Sequence, residues 1–160
     1  MNSIEQRLPR KSFCLLYTIH MQKDALYRVS FKCLIKNSDG KVLVVKERGR
    51  TSWDLPGGGI EHNETIEESI ARELYEEVSF KGEFNYRVIK IHNPGKLATR
   101  DVWQMSIVLL LDVNNYDFSV GREADEVKFI NPEELEASND DSESGLLEYL
   151  EIVSIWELSS

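Results

Sequence analysis

The sequence predicts a single α/β domain, and three observations carry that reading. Short apolar runs in alternating pattern, with a turn signal between two of them, mark strands in the first third of the chain. An apolar repeat of four residues behind a capping signal marks one amphipathic helix at mid-chain. At 160 residues the chain has one-domain length and can bury a substantial core. Apolar residues make up 41% and charged residues 29%, ordinary values for a globular protein.

Each element can be justified in turn. Residues 1–11 are polar and read as a loose arm, and residues 12–160 read as one domain without internal repeats or a dividing linker. "SFCLLYTIH" (12–20) has strand character, and "LYRVSFKCLIK" (26–36) alternates as a longer strand. "NSDG" (37–40) carries the Asp-Gly hairpin signal, so "KVLVVKE" (41–47) is expected to return as its antiparallel partner. "RGRTSWDLPGGGIEHNE" (48–64), rich in Gly and carrying Pro56, is loop. Thr65, with Glu68 three residues on, forms a capping box. Ile66, Ile70, Leu74 and Val78 then draw one apolar stripe, which predicts a helix from about 66 to 78. Strands are expected over roughly 80–92 and 101–113, joined by the exposed link "HNPGKLATR" (92–100). "DEVKFI" (125–130) reads as a short strand. "NPEELEAS" (131–138) reads as a helical turn with Asn131 as cap and Pro132 at the first position. A polar loop (139–145) and a closing amphipathic helix (146–158) complete the chain.

The totals exclude some functions. A formal charge of −9 argues against nonspecific nucleic-acid binding, which needs basic surface to displace counterions. It argues equally against anionic membrane surfaces. No apolar run approaches the ~20 residues that span a bilayer. "FCLLYTIHM" lacks the small-residue cleavage site of a signal peptide and continues as a strand pattern. A cytoplasmic address is the default expectation. Cys14 and Cys33 stand far apart in apolar strands, which predicts buried free thiols and suits a reducing compartment.

The chemistry concentrates in "RELYEE" (72–77). Glu73, Glu76 and Glu77 are spaced i, i+3, i+4 and share one helix face. Residues 64–79 hold Arg72 against Glu64, Glu67, Glu68, Glu73, Glu76 and Glu77. Carboxylates that close raise one another's pKa values, and a solvated face would interleave Lys to relieve this. A divalent cation such as Mg²⁺ relieves it directly, since it takes carboxylate oxygens and keeps waters for a phosphate-bearing substrate. A plain solvated acidic helix is the competing reading. The loop just before tips the balance, because Gly57, Gly58 and Gly59 let backbone approach a ligand closely and can lend carbonyls to a metal. No GKS or GKT follows them, so this is not a P-loop.

The two features together resemble a known family. Gly58, five residues, Glu64, seven residues, Arg72-Glu73-Leu74, one residue, Glu76-Glu77, one residue, then Ser79-Phe80 is similar to the Nudix box. The single departure is Ser79, where the family has Gly; the position often takes a left-handed conformation that strains Ser modestly, so a slightly altered helix end with the site kept is expected. "YRVSFKCLI", "GKVLVVKER", "WDLPGGGIE" and "DEVKFINPEEL" extend the resemblance over about residues 26–136.

The resemblance implies an α/β/α sandwich with a mixed, largely antiparallel sheet, and Mg²⁺- or Mn²⁺-dependent hydrolysis of a nucleoside diphosphate linked to another group. On this sequence it makes Glu76 and Glu77 the core metal ligands, Glu73 a further ligand or the general base, and the Gly57 carbonyl a completing ligand. Arg72 and Glu64 would tie loop to helix. Glu123 or Glu126 could supply a late-loop catalytic acid, with Glu123 favoured. Lys46, Arg48 and Arg50 could meet phosphates, and Trp53 could stack on a base or pack structurally. A nucleoside triphosphate or nucleoside diphosphate derivative is the expected substrate. Pro94 gives slight support to an ADP-ribose or nucleotide-sugar pyrophosphatase. A catalytically silent nucleotide sensor stays open, as does a homodimer through residues 12–36.

Overall fold

The structure, a computed structural model, describes residues 26–97 and 101–131. The elements expected at 12–20, 132–138 and 146–158, the arm at 1–11 and Cys14 lie outside the described residues. Within them run β1 (Arg28–Ile35), β2 (Val42–Glu47), α1 (Ile66–Val78), β3 (Phe84–Ile91), β4 (Gly95–Leu97), β5 (Val102–Val113) and β6 (Ala124–Ile130). The predicted α/β class holds. β4, three residues inside the expected link, is the one strand the pattern does not announce.

β5 organises a mixed sheet. β1 lies parallel to it along its whole length, Arg28 opposite Gln104 through Ile35 opposite Leu111. β3 and β4 pair with it antiparallel, and β3 carries an irregularity between Val88 and Lys90. β2 pairs antiparallel with β6 in a second, two-stranded sheet. This corrects the expected β1–β2 hairpin. The turn is real: Asn37 Oδ1 accepts the amides of Asp39 and Lys41, and Gly40 sits at φ 78°. Beyond one bridge, Lys36 to Val42, the two strands part. The reason is that the loop takes the edge β2 would need. Cys33 N donates to the Pro56 carbonyl at 2.7 Å, Phe31 N to the Gly58 carbonyl at 2.9 Å, and Ile60 N to the Val29 carbonyl at 3.1 Å. Val42 to Val45 are fully buried, so β2 is packed on both faces and reads as a continuous apolar run.

α1 forms as predicted. The Thr65 side chain accepts from Glu68 N, and the Glu68 carboxylate accepts from Thr65 N at 2.8 Å. Ser79 ends the helix in the left-handed region at φ 53°, and the Phe80 amide returns to the Leu74 carbonyl. Ile70, Leu74 and Val78 are fully buried against Phe31, Cys33, Ile35, Leu43, Val45 and Leu109. That packing fixes the rotation of α1 and turns Glu73 and Glu77 toward the loop at 56–60. The last carbonyls of a helix lack partners of its own making. Here a following segment takes them: Glu123 N, Gly121 N and Ser119 N donate to the carbonyls of Glu76, Glu77 and Val78 at 2.9–3.0 Å. No helix among the described residues is long and apolar enough to cross a membrane.

Candidate active site

The glycine bend and α1 meet at close range. The Pro56 and Gly58 carbonyls point to β1, and Gly57 between them, at φ 141°, donates its amide to Glu77 Oε2 at 2.8 Å. A Cβ on Gly58 would lie 2.1 Å from Glu73 Oε1, so the bend leaves no room for a side chain there. Glu73 and Glu77 are therefore buried, at 9% and 4% exposure, rather than spread into solvent.

Arg72 organises the rest. Its Nε and Nη2 reach the two oxygens of Glu64 at 2.7 and 3.0 Å, and Nη2 also donates to the Gly59 carbonyl at 3.0 Å. Its Nη1 donates to Glu73 Oε1 at 2.8 Å and lies 3.5 Å from Glu76 Oε2. Glu64 accepts further from Ser69 Oγ and Glu61 N. The bonds from Arg72, then Ser69, hold the Glu64 carboxyl down to about 2. Arg72 and Glu64 thus join loop to helix.

The two buried carboxyls feel the opposite pressure. Burial pushes Glu77 up to about 8, against the Gly57 amide and Lys32, while Glu73 and Glu47 add to the rise. Burial also raises Glu73; Arg72 opposes it, and Glu76 and Glu123 add to it. Such a pair ionises together only with added positive charge. Hard oxygen donors of this kind fit a hard divalent cation. Among the described residues, however, no three His, Cys, Asp or Glu side chains are gathered to hold an ion. Glu76 is largely buried, and its carboxylate is engaged by Arg72 on one oxygen and by Arg122 on the other. Glu73 and Glu77 could serve as donors to such a cation, and Glu76 could be a third with Arg122 displaced from it.

The carboxyls open into a cleft of about 790 Å³ lined by Arg28, Lys32, Arg48, Arg50 and Arg122 as well as Glu47, Asp54 and Glu123. Gly57, Glu73, Glu77, Arg48, Arg50 and Glu123, all expected from the sequence, line it together. Arg48 lies 3.8 Å from Asp125, and Arg50 3.5 Å from Glu47. Glu123 is half exposed, its backbone fixed by the Glu76 carbonyl on one side and the Arg48 amide on the other. Glu126 instead bonds Lys46 Nζ at 2.5 Å. Trp53 lies outside the cleft lining. It packs on Leu34, Val42, Val44, Leu55 and Ile130, with the Lys46 and Lys128 ammoniums 4.6 and 4.2 Å from its ring centre. Of its two expected roles, packing is the one the structure supports.

Several lining residues escaped sequence reasoning. Lys32 bonds Asp54 at 2.6 Å and the Leu55 carbonyl at 3.2 Å. Burial pulls its pKa down, but Asp54 outweighs this and the net shift is upward. A lysine inside the apolar run "FKCLI" was the available signal. Arg28 Nη1 donates to Gln104 Oε1 at 2.8 Å, Gln104 Nε2 to Ser106 Oγ at 3.1 Å, and Ser106 meets Ser30 at 3.0 Å. The guanidinium of Arg28 occupies the space a side chain on Gly59 would fill. No local pattern announces this ladder, because it exists only through the parallel β1–β5 register.

The contact at Gly58 makes a prediction. Gly58→Ala meets only the flexible tip of Glu73, so it should move that carboxylate with a stability loss under about 1.5 kcal/mol, while turnover falls at least about tenfold. Thermal melting and steady-state kinetics on one preparation would check it. Retained turnover would show that the Glu73 position does not matter.

The family model described as the NUDIX domain matches residues 26–150. The chain is similar to the RNA pyrophosphohydrolase of Aeromonas hydrophila subsp. hydrophila, 44% identical over 57 residues that make up 36% of this chain and 33% of the relative. It is 48% identical over 52 residues to the RNA pyrophosphohydrolase of Pasteurella multocida, covering 32% of this chain and 26% of that one. The chain thus matches about a third or less of the length of these curated relatives. Among solved structures, the MutT protein from Methanosarcina mazei Go1 superposes with a TM-score of 0.59 at 22% identity, covering 72% of this chain and 85% of that one. A UDP-X diphosphatase superposes with a TM-score of 0.68 at 18% identity, covering 96% and 74%. Likeness at those identities establishes the fold.

Proposed function

The chain belongs to the Nudix family, and from that membership we propose that it hydrolyses a phosphoanhydride bond of a nucleoside diphosphate linked to another group, with Mg²⁺ or Mn²⁺ as cofactor. One observation carries the reading: two buried carboxyls, Glu73 and Glu77, face a glycine bend at the base of a cleft lined by five cationic side chains. A nucleoside triphosphate or a nucleoside diphosphate derivative is the substrate class we favour.

Each residue has a task under this proposal. Glu73 and Glu77, with Glu76 and the Gly57 carbonyl, would hold the divalent cation, which when bound supplies charge relief on the phosphoryl oxygens and a more acidic water. Arg28, Arg48 and Arg50 bind the phosphates, where guanidinium forks match phosphate oxygens. Glu123, fixed by its backbone but half exposed in its side chain, takes the proton of the attacking water. Arg72 and Glu64 position the loop and do not touch substrate. Phosphoryl transfer asks for little beyond such positioning and charge.

A substrate panel tests the proposal: nucleoside triphosphates, ADP-ribose, nucleotide sugars, dinucleoside polyphosphates and a 5′-triphosphorylated oligoribonucleotide, each with Mg²⁺ and with products identified. Cleavage of a nucleoside triphosphate or diphosphate derivative, lost on removing the metal, is expected. Tight nucleotide binding with no cleavage anywhere in the panel would replace the enzyme with a sensor.

A further inference from the structure

Arg122 stands apart from the other arginines of the site. The segment that carries it is clamped to the end of α1: Gly121 N and Glu123 N donate to the carbonyls of Glu77 and Glu76, and a Cβ on Gly121 would lie 2.2 Å from the Glu76 carbonyl oxygen. Its backbone is therefore fixed beside the buried carboxyls. Its side chain is not, being 67% exposed, lining the cleft, and bonded to Glu76 Oε1 with Glu123 Oε1 at 3.6 Å. Arg72, the other partner of Glu76, is committed to Glu64, Glu73 and the Gly59 carbonyl. Arg122 reaches Glu76 from the solvent side and can leave without breaking the loop–helix junction.

We infer that Arg122 is an exchangeable counter-ion, neutralising Glu76 in the free protein and passing to a phosphate of the polyphosphate substrate when a divalent cation takes Glu76. The inference rests on the proposed hydrolysis and adds to it a substrate-binding residue that couples the two ligands. Arg72 holds one Glu76 oxygen and Arg122 the other, so an arriving cation competes with the Arg122 guanidinium for Oε1. A phosphate arriving in the cleft offers the displaced guanidinium a bidentate partner. The exchange makes Arg122 a weak competitor of the metal in the absence of substrate and an ally of the substrate in the presence of metal.

The two roles predict opposite effects from one substitution. In Arg122→Gln, Mg²⁺ affinity without nucleotide, measured by calorimetry, should rise roughly three- to tenfold because the competitor is gone. In the same protein KM for the cleaved nucleotide should rise roughly tenfold while kcat stays within about twofold. Arg122→Lys keeps a charge and should restore Mg²⁺ affinity to near the wild-type value and KM in part. Unchanged or weaker Mg²⁺ binding in Arg122→Gln, or a fall in kcat at constant KM, would overturn the exchange while the proposed hydrolysis stands. A wild-type protein that neither binds Mg²⁺ nor cleaves nucleotide would overturn both.

Discussion

Replacing Glu77 with Gln should lower turnover at least about a thousandfold and yet make the metal-free protein more stable than wild type above neutral pH. The first effect follows from removing an oxygen charge the cation needs. The second follows from burial. The Glu77 carboxyl moves from an ordinary value of 4.5 to about 8 in the folded protein. The folded state thus holds this proton more tightly than the unfolded chain does. Its stabilisation is complete below about 4.5 and is lost as pH rises through about 8. The loss amounts to a few kcal/mol, since each unit is worth about 1.4 kcal/mol. Gln carries no charge at any pH and can still accept the Gly57 amide, so the variant escapes this loss. Urea unfolding without metal at pH 5 and at pH 8 should show the two stability curves crossing. Parallel curves would mean that Glu77 ionises in the fold without penalty.

Gly57→Ala should be the most damaging single methyl in the described residues of the loop. Gly57 sits at φ 141°, where a side chain is strained, and its Cβ would stand 2.4 Å from the Phe31 carbonyl oxygen and 3.1 Å from Lys32 Cα. Both are backbone atoms of β1, which is held in register by β5 and cannot move aside. Strain and overpacking together should cost roughly 3 kcal/mol, and the melting temperature should fall by roughly 10 °C. The bond from Gly57 N to Glu77 would be displaced too, so turnover should fall with stability. Gly58→Ala, one residue on, meets a side-chain tip instead and should lower the melting temperature by at most about 5 °C. Equal melting temperatures for the two variants would refute the tight docking of the bend on β1.

The contrast between those neighbours shows what the sequence could and could not reveal. The spacing of Glu73, Glu76 and Glu77 put three carboxyls on one face, and the capping box at Thr65 and the stripe Ile70–Leu74–Val78 fixed both the helix and its rotation. Those are local rules, legible within one or two turns. The glycine run promised a close approach but not its object. That Gly57 packs on β1 and Gly58 on Glu73 depends on the bend displacing β2 from the edge of β1, an outcome the Asp-Gly turn signal pointed away from. Arg28 and Gln104, or Arg122 and Glu76, come together across strand register and loop docking, and no window of sequence contains both partners. Trp53 illustrates the converse: its place in "WDLPGG" favoured packing over stacking on a base, and it lies against Leu34, Val44 and Leu55.

Under the proposed function, Glu77 keeps its proton until a divalent cation replaces it. Calorimetric titration of Mg²⁺ into metal-free protein at pH 7, repeated in two buffers of different ionisation enthalpy, measures that exchange. Binding should release close to one proton per ion, a release absent in Glu77→Gln. Binding without proton release, or no binding up to about 10 mM Mg²⁺, would contradict it.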